Sequence, residues 1–221
     1  GAEISMIDGL RSYYWAVLGK YIPGKIWGPT ARILIVGKSG VSSGHAALGL
    51  ILETILLIVS AGLVGSVAIS QWKGEIPPAI KLTVLIAPAL ILIIHPSILK
   101  KFVHLAAKRL PSRIKIPDVF PSFKSLILVT WFYCSIWVWW GIGLFFALHS
   151  LKTQSIDAFV AIVAGNTLAW LVGFVTVFSP AGIGVREIVL TNLIAGNAGM
   201  GVAALAAVLA RLFTIISELL E

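Results

Sequence analysis

Charge is what this sequence has least of. Charged residues make up 12% of its 221 positions and hydrophobic residues 58%, against about 25% and 45–50% in a typical soluble domain. So few charges cannot coat a soluble globule of this length. The mean hydropathy of +0.99 places the chain among integral membrane proteins and excludes a disordered tail or an ordinary cytosolic enzyme. Cysteine is nearly absent: Cys134 stands alone, so no internal disulfide can form and a secreted disulfide scaffold is excluded. The first residues hold no basic stretch followed by an apolar core, so no signal peptide is read there. Metal and catalytic motifs are missing as well. His45, His95, His104 and His149 are scattered without ligand spacing. Gly37-Lys38-Ser39 resembles the end of a phosphate-binding loop, but Arg32 stands where its first glycine is required. Neither a G-x-S-x-G nor a paired-carboxylate pattern occurs. No cofactor and no metal are expected.

What is present is apolar runs and a basic balance. A spanning helix needs roughly 20 apolar residues. Residues 46–69, 126–148, 158–178 and 202–220 qualify, and 82–94 does so when extended through Pro96 to Leu99, with a kink at proline. Two apolar segments, 4–22 and 188–195, are too short to span. The second lies between a Pro/Gly turn and Gly196-Asn197. Short or Gly/Pro-interrupted segments mark broken or re-entrant helices. The expected fold is an all-α, polytopic transmembrane helix bundle with short broken or re-entrant helices at two Pro/Gly motifs. The whole of 1–221 reads as one integral membrane domain.

Seventeen Lys and Arg against nine Asp and Glu give a net charge of +8. These cations flank apolar runs, the pattern of membrane topology and not of nucleic-acid binding. Lys20, Lys25, Arg32 and Lys38 precede the first full span. Lys100, Lys101, Lys108, Arg109, Arg113, Lys115 and Lys124 lie between the second and third. The positive-inside rule puts both groups in the cytoplasm. The 100–124 stretch is then a basic cytoplasmic loop, read either as a topology determinant or as a docking surface for anionic headgroups.

Two constellations carry chemistry. In Lys20-Tyr21-Ile22-Pro23-Gly24-Lys25-Ile26-Trp27-Gly28, with Arg32 beyond, Pro23 and Gly24 permit a tight turn beside cations. Cations next to exposed backbone N–H groups suit a phosphate. A plain basic loop with an aromatic interface anchor accounts for the same residues. Ser179-Pro180-Ala181-Gly182-Ile183-Gly184-Val185-Arg186-Glu187 loosely echoes the first constellation and equally fits an inter-helix turn. Glu53 and Arg211 sit within spans, where an ionisable group is costly and needs a partner. Arg186, Arg32 and Arg211 are all candidates for Glu53, whereas Arg211 alone could snorkel. Trp131, Tyr133, Trp137, Trp139 and Trp140 crowd one span, as packing or as a path for acyl chains. Asn166 suits an inter-helix hydrogen bond.

Taken together, K-Y-I-P-G-K-I-W at Lys20 to Trp27, L-E-T at Leu52 to Thr54 and S-P-A-G-I-G-V-R-E at Ser179 to Glu187 resemble the lysylphosphatidylglycerol synthase transmembrane-region family, also called flippase-like or UPF0104 membrane proteins. Ala181 departs from the family's usual P-G-G, and alanine disfavours positive φ. Thr54 replaces a frequent Arg or Gln. Members usually carry further apolar helices before the first motif, so the resemblance implies a fragment. It also implies a prokaryotic inner-membrane protein that flips phospholipid, such as aminoacylated phosphatidylglycerol, or a lipid-linked glycan. The alternative is a membrane-embedded enzyme or accessory subunit for glycosyl or aminoacyl transfer to a lipid carrier. No soluble aminoacyltransferase domain is present, so an enzyme is the weaker expectation. The expected partners are membrane lipids, a second copy of the chain or a membrane transferase. Lys25, Arg32, Glu53, Arg186, Glu187 and Arg211 are the expected substrate-binding residues. Pro23, Gly24, Pro180, Gly182 and Gly184 are the structural ones.

Overall fold

A computed structural model describes residues 5–19, 27–70, 92, 94–108, 116–117, 119–176 and 179–220. Among these residues the chain is all-helical. Its helices are α1 (Met6–Gly19), α2 (Trp27–Lys38), α3 (Ser43–Ser70), α4 (Pro96–Ala107), α5 (Phe123–Leu151), α6 (Asp157–Val175), α7 (Val185–Ala198) and α8 (Met200–Leu220). A single 3-10 turn, Pro180–Gly182, precedes α7.

Among the described residues three helices are long and apolar enough to cross a membrane: α3, α5 and α6. They pack on one another. Ser122 begins α5 by accepting the Ser125 N–H at 3.2 Å, which satisfies one of the donors that every helix start leaves open. α3 and α5 run parallel. The Trp137 indole donates to the Ser60 hydroxyl at 2.9 Å, and Leu126 packs with Leu48 and Leu52. α6 runs against both, with Phe159 on Phe145 and Leu168 on Gly65. Lipid tails are as apolar as leucine, so packing and close approach hold such helices together. Small residues serve this at the α6 and α8 contacts, where Ala158, Ala161, Ala164, Ala203, Ala206 and Ala207 are all buried.

The short segments form half-height helices. α1 and α2 have 14 and 12 residues, so they rise about 21 and 18 Å. The 28 residues of α3 rise about 42 Å. α1 and α2 cross at glycine: a Cβ on Gly19 would stand 2.5 Å from the Gly28 nitrogen, and one on Gly28 would stand 2.5 Å from the Ala16 carbonyl oxygen. A short turn at 39–42 then returns the chain into α3, so α1 and α2 form a hairpin that leaves and re-enters the same end of the bundle. α2 lies on α3, and α1 also touches α8.

The second short helix, α7, continues through Gly196 and Asn197, which the sequence reading treated as its stop. It ends at Gly199, whose φ of 84° is open to glycine without a Cβ clash. α8 begins at the next residue. The Lys152 ammonium, at the end of α5, donates to the Ala198 carbonyl at 3.2 Å. This ties the α7–α8 corner to the end of the bundle opposite the start of α3. α8 is apolar over Met200–Ile216.

Pro96 does not kink a span. It is the first residue of α4, a position where its missing N–H costs nothing. Residues 82–91 and 93, the body of that expected span, lie outside the described residues. The basic 100–124 stretch is therefore helical as far as Ala107.

The glycine crossing makes a direct prediction. Gly28→Ala should lower the thermal unfolding midpoint in detergent, with a cost of about 1–3 kcal/mol as for other overpacked contacts. Gly49→Ala, where a Cβ meets nothing within 4 Å, should leave it unchanged. Equal effects from both would contradict the close approach.

Candidate functional site

Arg32 is the partner of Glu53. The guanidinium donates to the carboxylate at 2.5 Å, and the two side chains are 25% and 23% exposed. The pair joins the half-height α2 to the spanning α3. Glu53 stands ten residues into α3, about 15 Å from its start. Two tyrosines complete the cluster. The Arg32 guanidinium lies 5.9 Å from the ring centre of Tyr13 on α1, within the range of a cation–π contact. Tyr133 of α5 lies within electrostatic reach of Glu53, Arg32 and Tyr13. The sequence singles out Arg32 and Glu53, offers Tyr133 only as one of the aromatics crowding its span, and gives no sign of Tyr13.

Arg211 forms a second cluster. It does not snorkel: its side chain is 9% exposed. Its Nε lies 3.6 Å from Glu187, and it donates to the Ala181 carbonyl at 3.1 Å. The Glu187 carboxylate also accepts the Gly184 N–H at 2.6 Å, so it caps α7 from the third helical position. Ser179 donates to the Ile183 carbonyl at 2.5 Å. The Ser179–Glu187 segment is thus held from within and from α8. Ala181 takes up the left-handed backbone that its sequence disfavours, with φ 51° and ψ 17°. Gly182 and Gly184 follow at φ 72° and 84°.

Arg186 packs against α6. Its aliphatic stem lies in a slot between two glycines. A Cβ on Gly173 would fall 2.2 Å from Arg186 Cγ, and one on Gly182 would fall 3.1 Å from its Cδ. The slot fixes where Arg186 leaves the backbone, on the face of α7 toward α6. Lys25, Pro23 and Gly24 lie outside the described residues.

The helix register relates the two clusters. Gly65 lies against Leu168, and Ala61 shares a buried group with Leu171. Continued along the antiparallel pair, this register sets Val175, the end of α6, level with Leu57 and Ile58, about one turn from Glu53. Both clusters therefore lie toward the end of the bundle where α3 and α5 begin. Trp137, buried on Ser60 and Trp170, packs between α3 and α6. Trp131 and Trp139 are about 70% exposed, so the aromatic crowding is packing at Trp137 and outer surface elsewhere. Asn166 is half-buried within α6. An open cavity of about 640 Å³ lies along α1 and α2, lined by Trp15, Leu34, Lys38 and Ser43. It contains neither ion pair.

Among the described residues, three helices long and apolar enough to cross a membrane, packed with shorter helices, define an integral membrane helix bundle. Residues 1–220 match the family described as Lysylphosphatidylglycerol synthase TM region. The chain belongs to that family. No curated protein and no solved structure matches the sequence.

The strained turn gives a second prediction. A non-glycine residue in the left-handed region costs about 1 kcal/mol or more. Ala181→Gly should therefore raise the unfolding midpoint. A fall would show that the Ala181 methyl contributes more through packing than its backbone costs.

Proposed function

We propose that this protein translocates phospholipid or lipid-linked glycan headgroups across a prokaryotic inner membrane, with Arg32 and Glu53 as its exchangeable headgroup contacts. One observation carries the reading. Two opposite charges meet ten residues into the spanning helix α3, across from a helix that only half crosses the bundle, and both remain about a quarter exposed. A fully buried pair is locked by the cost of desolvating either partner alone. A partly exposed pair can give up its internal partner to a headgroup that brings the matching charge. Arg32 then takes a phosphate, and Glu53 takes a cationic or hydroxyl-bearing part of the headgroup. Tyr13 supplies an aromatic face to a cation, and Tyr133 supplies a hydroxyl. The half-height hairpin gives such a headgroup a route that ends inside the membrane, as short helices do in transporters. Arg186, placed by its glycine slot, is a second phosphate ligand. Membrane lipids are the proposed partners.

Glu187 and Arg211 have a different part. They are less exposed than the first pair, and they bond to the turn and the cap of α7. We assign them to holding the Ser179–Glu187 segment in shape. The enzyme reading asks for a carboxylate placed as a general base. Glu53 and Glu187 are both engaged by arginine, which favours translocation over transfer chemistry.

Headgroup exposure in vesicles reconstituted with purified protein tests this assignment. Glu53→Gln and Arg186→Ala should each slow appearance of labelled lipid in the opposite leaflet by about tenfold or more, the loss expected for one charged contact. Glu187→Gln should act mainly by lowering the unfolding midpoint. Unchanged transport in both Glu53→Gln and Arg186→Ala would overturn the residue assignment.

A further inference from the structure

The side chains of α4 fall into three sectors. Leu99 and Val103 lie on one side and are wholly buried, packed with Leu48, Leu52 and Leu56 of α3 and Leu126 of α5. Ile98, Phe102 and Leu105, spaced i, i+4 and i+7, form the adjoining stripe and are 37%, 45% and 60% exposed. Lys100, Lys101, His104 and Lys108 occupy the remaining side and are exposed. At about 100° per residue the two apolar sectors join into one arc about 160° wide. Protein covers one half of that arc. The other half holds three large apolar side chains that the described residues leave partly open.

The position of α4 says what meets that stripe. Its buried half packs in one group with Leu48, Leu52 and Leu56 in the first half of α3 and with Leu126 in the first turn of α5, so α4 lies on the half of the bundle where those spanning helices begin. Phe120 fixes its roll: the Lys100 ammonium lies 6.0 Å from the Phe120 ring centre, and the His104 ring stacks on it at 6.3 Å. With the roll fixed, Lys101 and Lys108 fall on the edge of the exposed stripe next to Leu105. An apolar stripe edged by lysines is the side-chain order of a helix lying in the headgroup region. There the stripe meets acyl chains while the ammonium groups reach up to phosphates. The charge at the edge is of one sign, and its complement is an anionic lipid surface.

We propose that α4 docks in the interface of an anionic phospholipid leaflet. Ile98, Phe102 and Leu105 enter the acyl boundary, and Lys101 and Lys108 bind lipid phosphates. The contact gathers anionic lipid on the helix that buttresses Leu52 and Leu56, the neighbours of Glu53 on α3. It stands independently of any transport by the Arg32–Glu53 pair.

Spin labels test it in the full chain. A nitroxide at Leu105→Cys, in a Cys134→Ala background, reports its surroundings in vesicles of phosphatidylcholine with phosphatidylglycerol. We expect high accessibility to oxygen and low accessibility to a water-soluble nickel chelate. In parallel, spin-labelled phosphatidylglycerol should associate with the protein more than spin-labelled phosphatidylcholine. That preference should fall at least about twofold in Lys101→Gln/Lys108→Gln. Three outcomes would overturn the proposal: a label open to nickel, which means water; a label closed to both reagents, which means a protein partner; or a lipid preference unchanged by the double substitution.

Discussion

The structure depends on how a charge survives at membrane depth. Water is absent there to solvate an arginine or a glutamate, so each must find its opposite within the protein or leave the membrane. Arg32 and Glu53 meet across α2 and α3, and Glu187 and Arg211 across α7 and α8. Each pair joins a half-height helix to a longer one. The short helices therefore have a fixed address without being long enough to be held by span length.

Close approach provides the second constraint. Hydrophobic burial discriminates little between protein and lipid tails, so the bundle uses small residues to bring backbones together. Gly19 and Gly28 let α1 and α2 cross with no room for a Cβ, and Gly173 and Gly182 leave a slot filled by the stem of Arg186. The same residue type thus performs two tasks. In the hairpin it permits a helix crossing; beside the second motif it aims a charged side chain. Among the described residues, a non-glycine positive φ occurs at the turn before α7, where Ala181 holds it and the Arg211 guanidinium bonds its carbonyl.

Much of this was readable from the residues. Uncharged runs longer than twenty residues located α5 and α6, and a run broken only by Glu53 located α3. The short apolar segments announced α1 and α7 because neither could reach across a bilayer. What stayed hidden was pairing. Glu53 had three arginine candidates, and only the antiparallel turn between α2 and α3 selects Arg32. Tyr13 and Tyr133 lay among other aromatics with no spacing to separate them. The Gly173 slot was invisible because its partner, Arg186, comes from another helix. α4 was divided between the end of a span and a basic loop, because its lysines interrupt the apolar run that its helical face restores. The end of α7 was placed early, since Gly196-Asn197 has the composition of a stop but remains helical until Gly199.

The dependence on paired charge is most directly measured by a charge exchange at the first pair. Arg32→Glu and Glu53→Arg, made singly and together, are compared with the unaltered protein by thermal unfolding in detergent. Each single change sets two like charges side by side and should lower the midpoint, and the double exchange should recover most of the loss. Losses that simply add in the double variant would contradict the account, because the two residues would then be acting without each other.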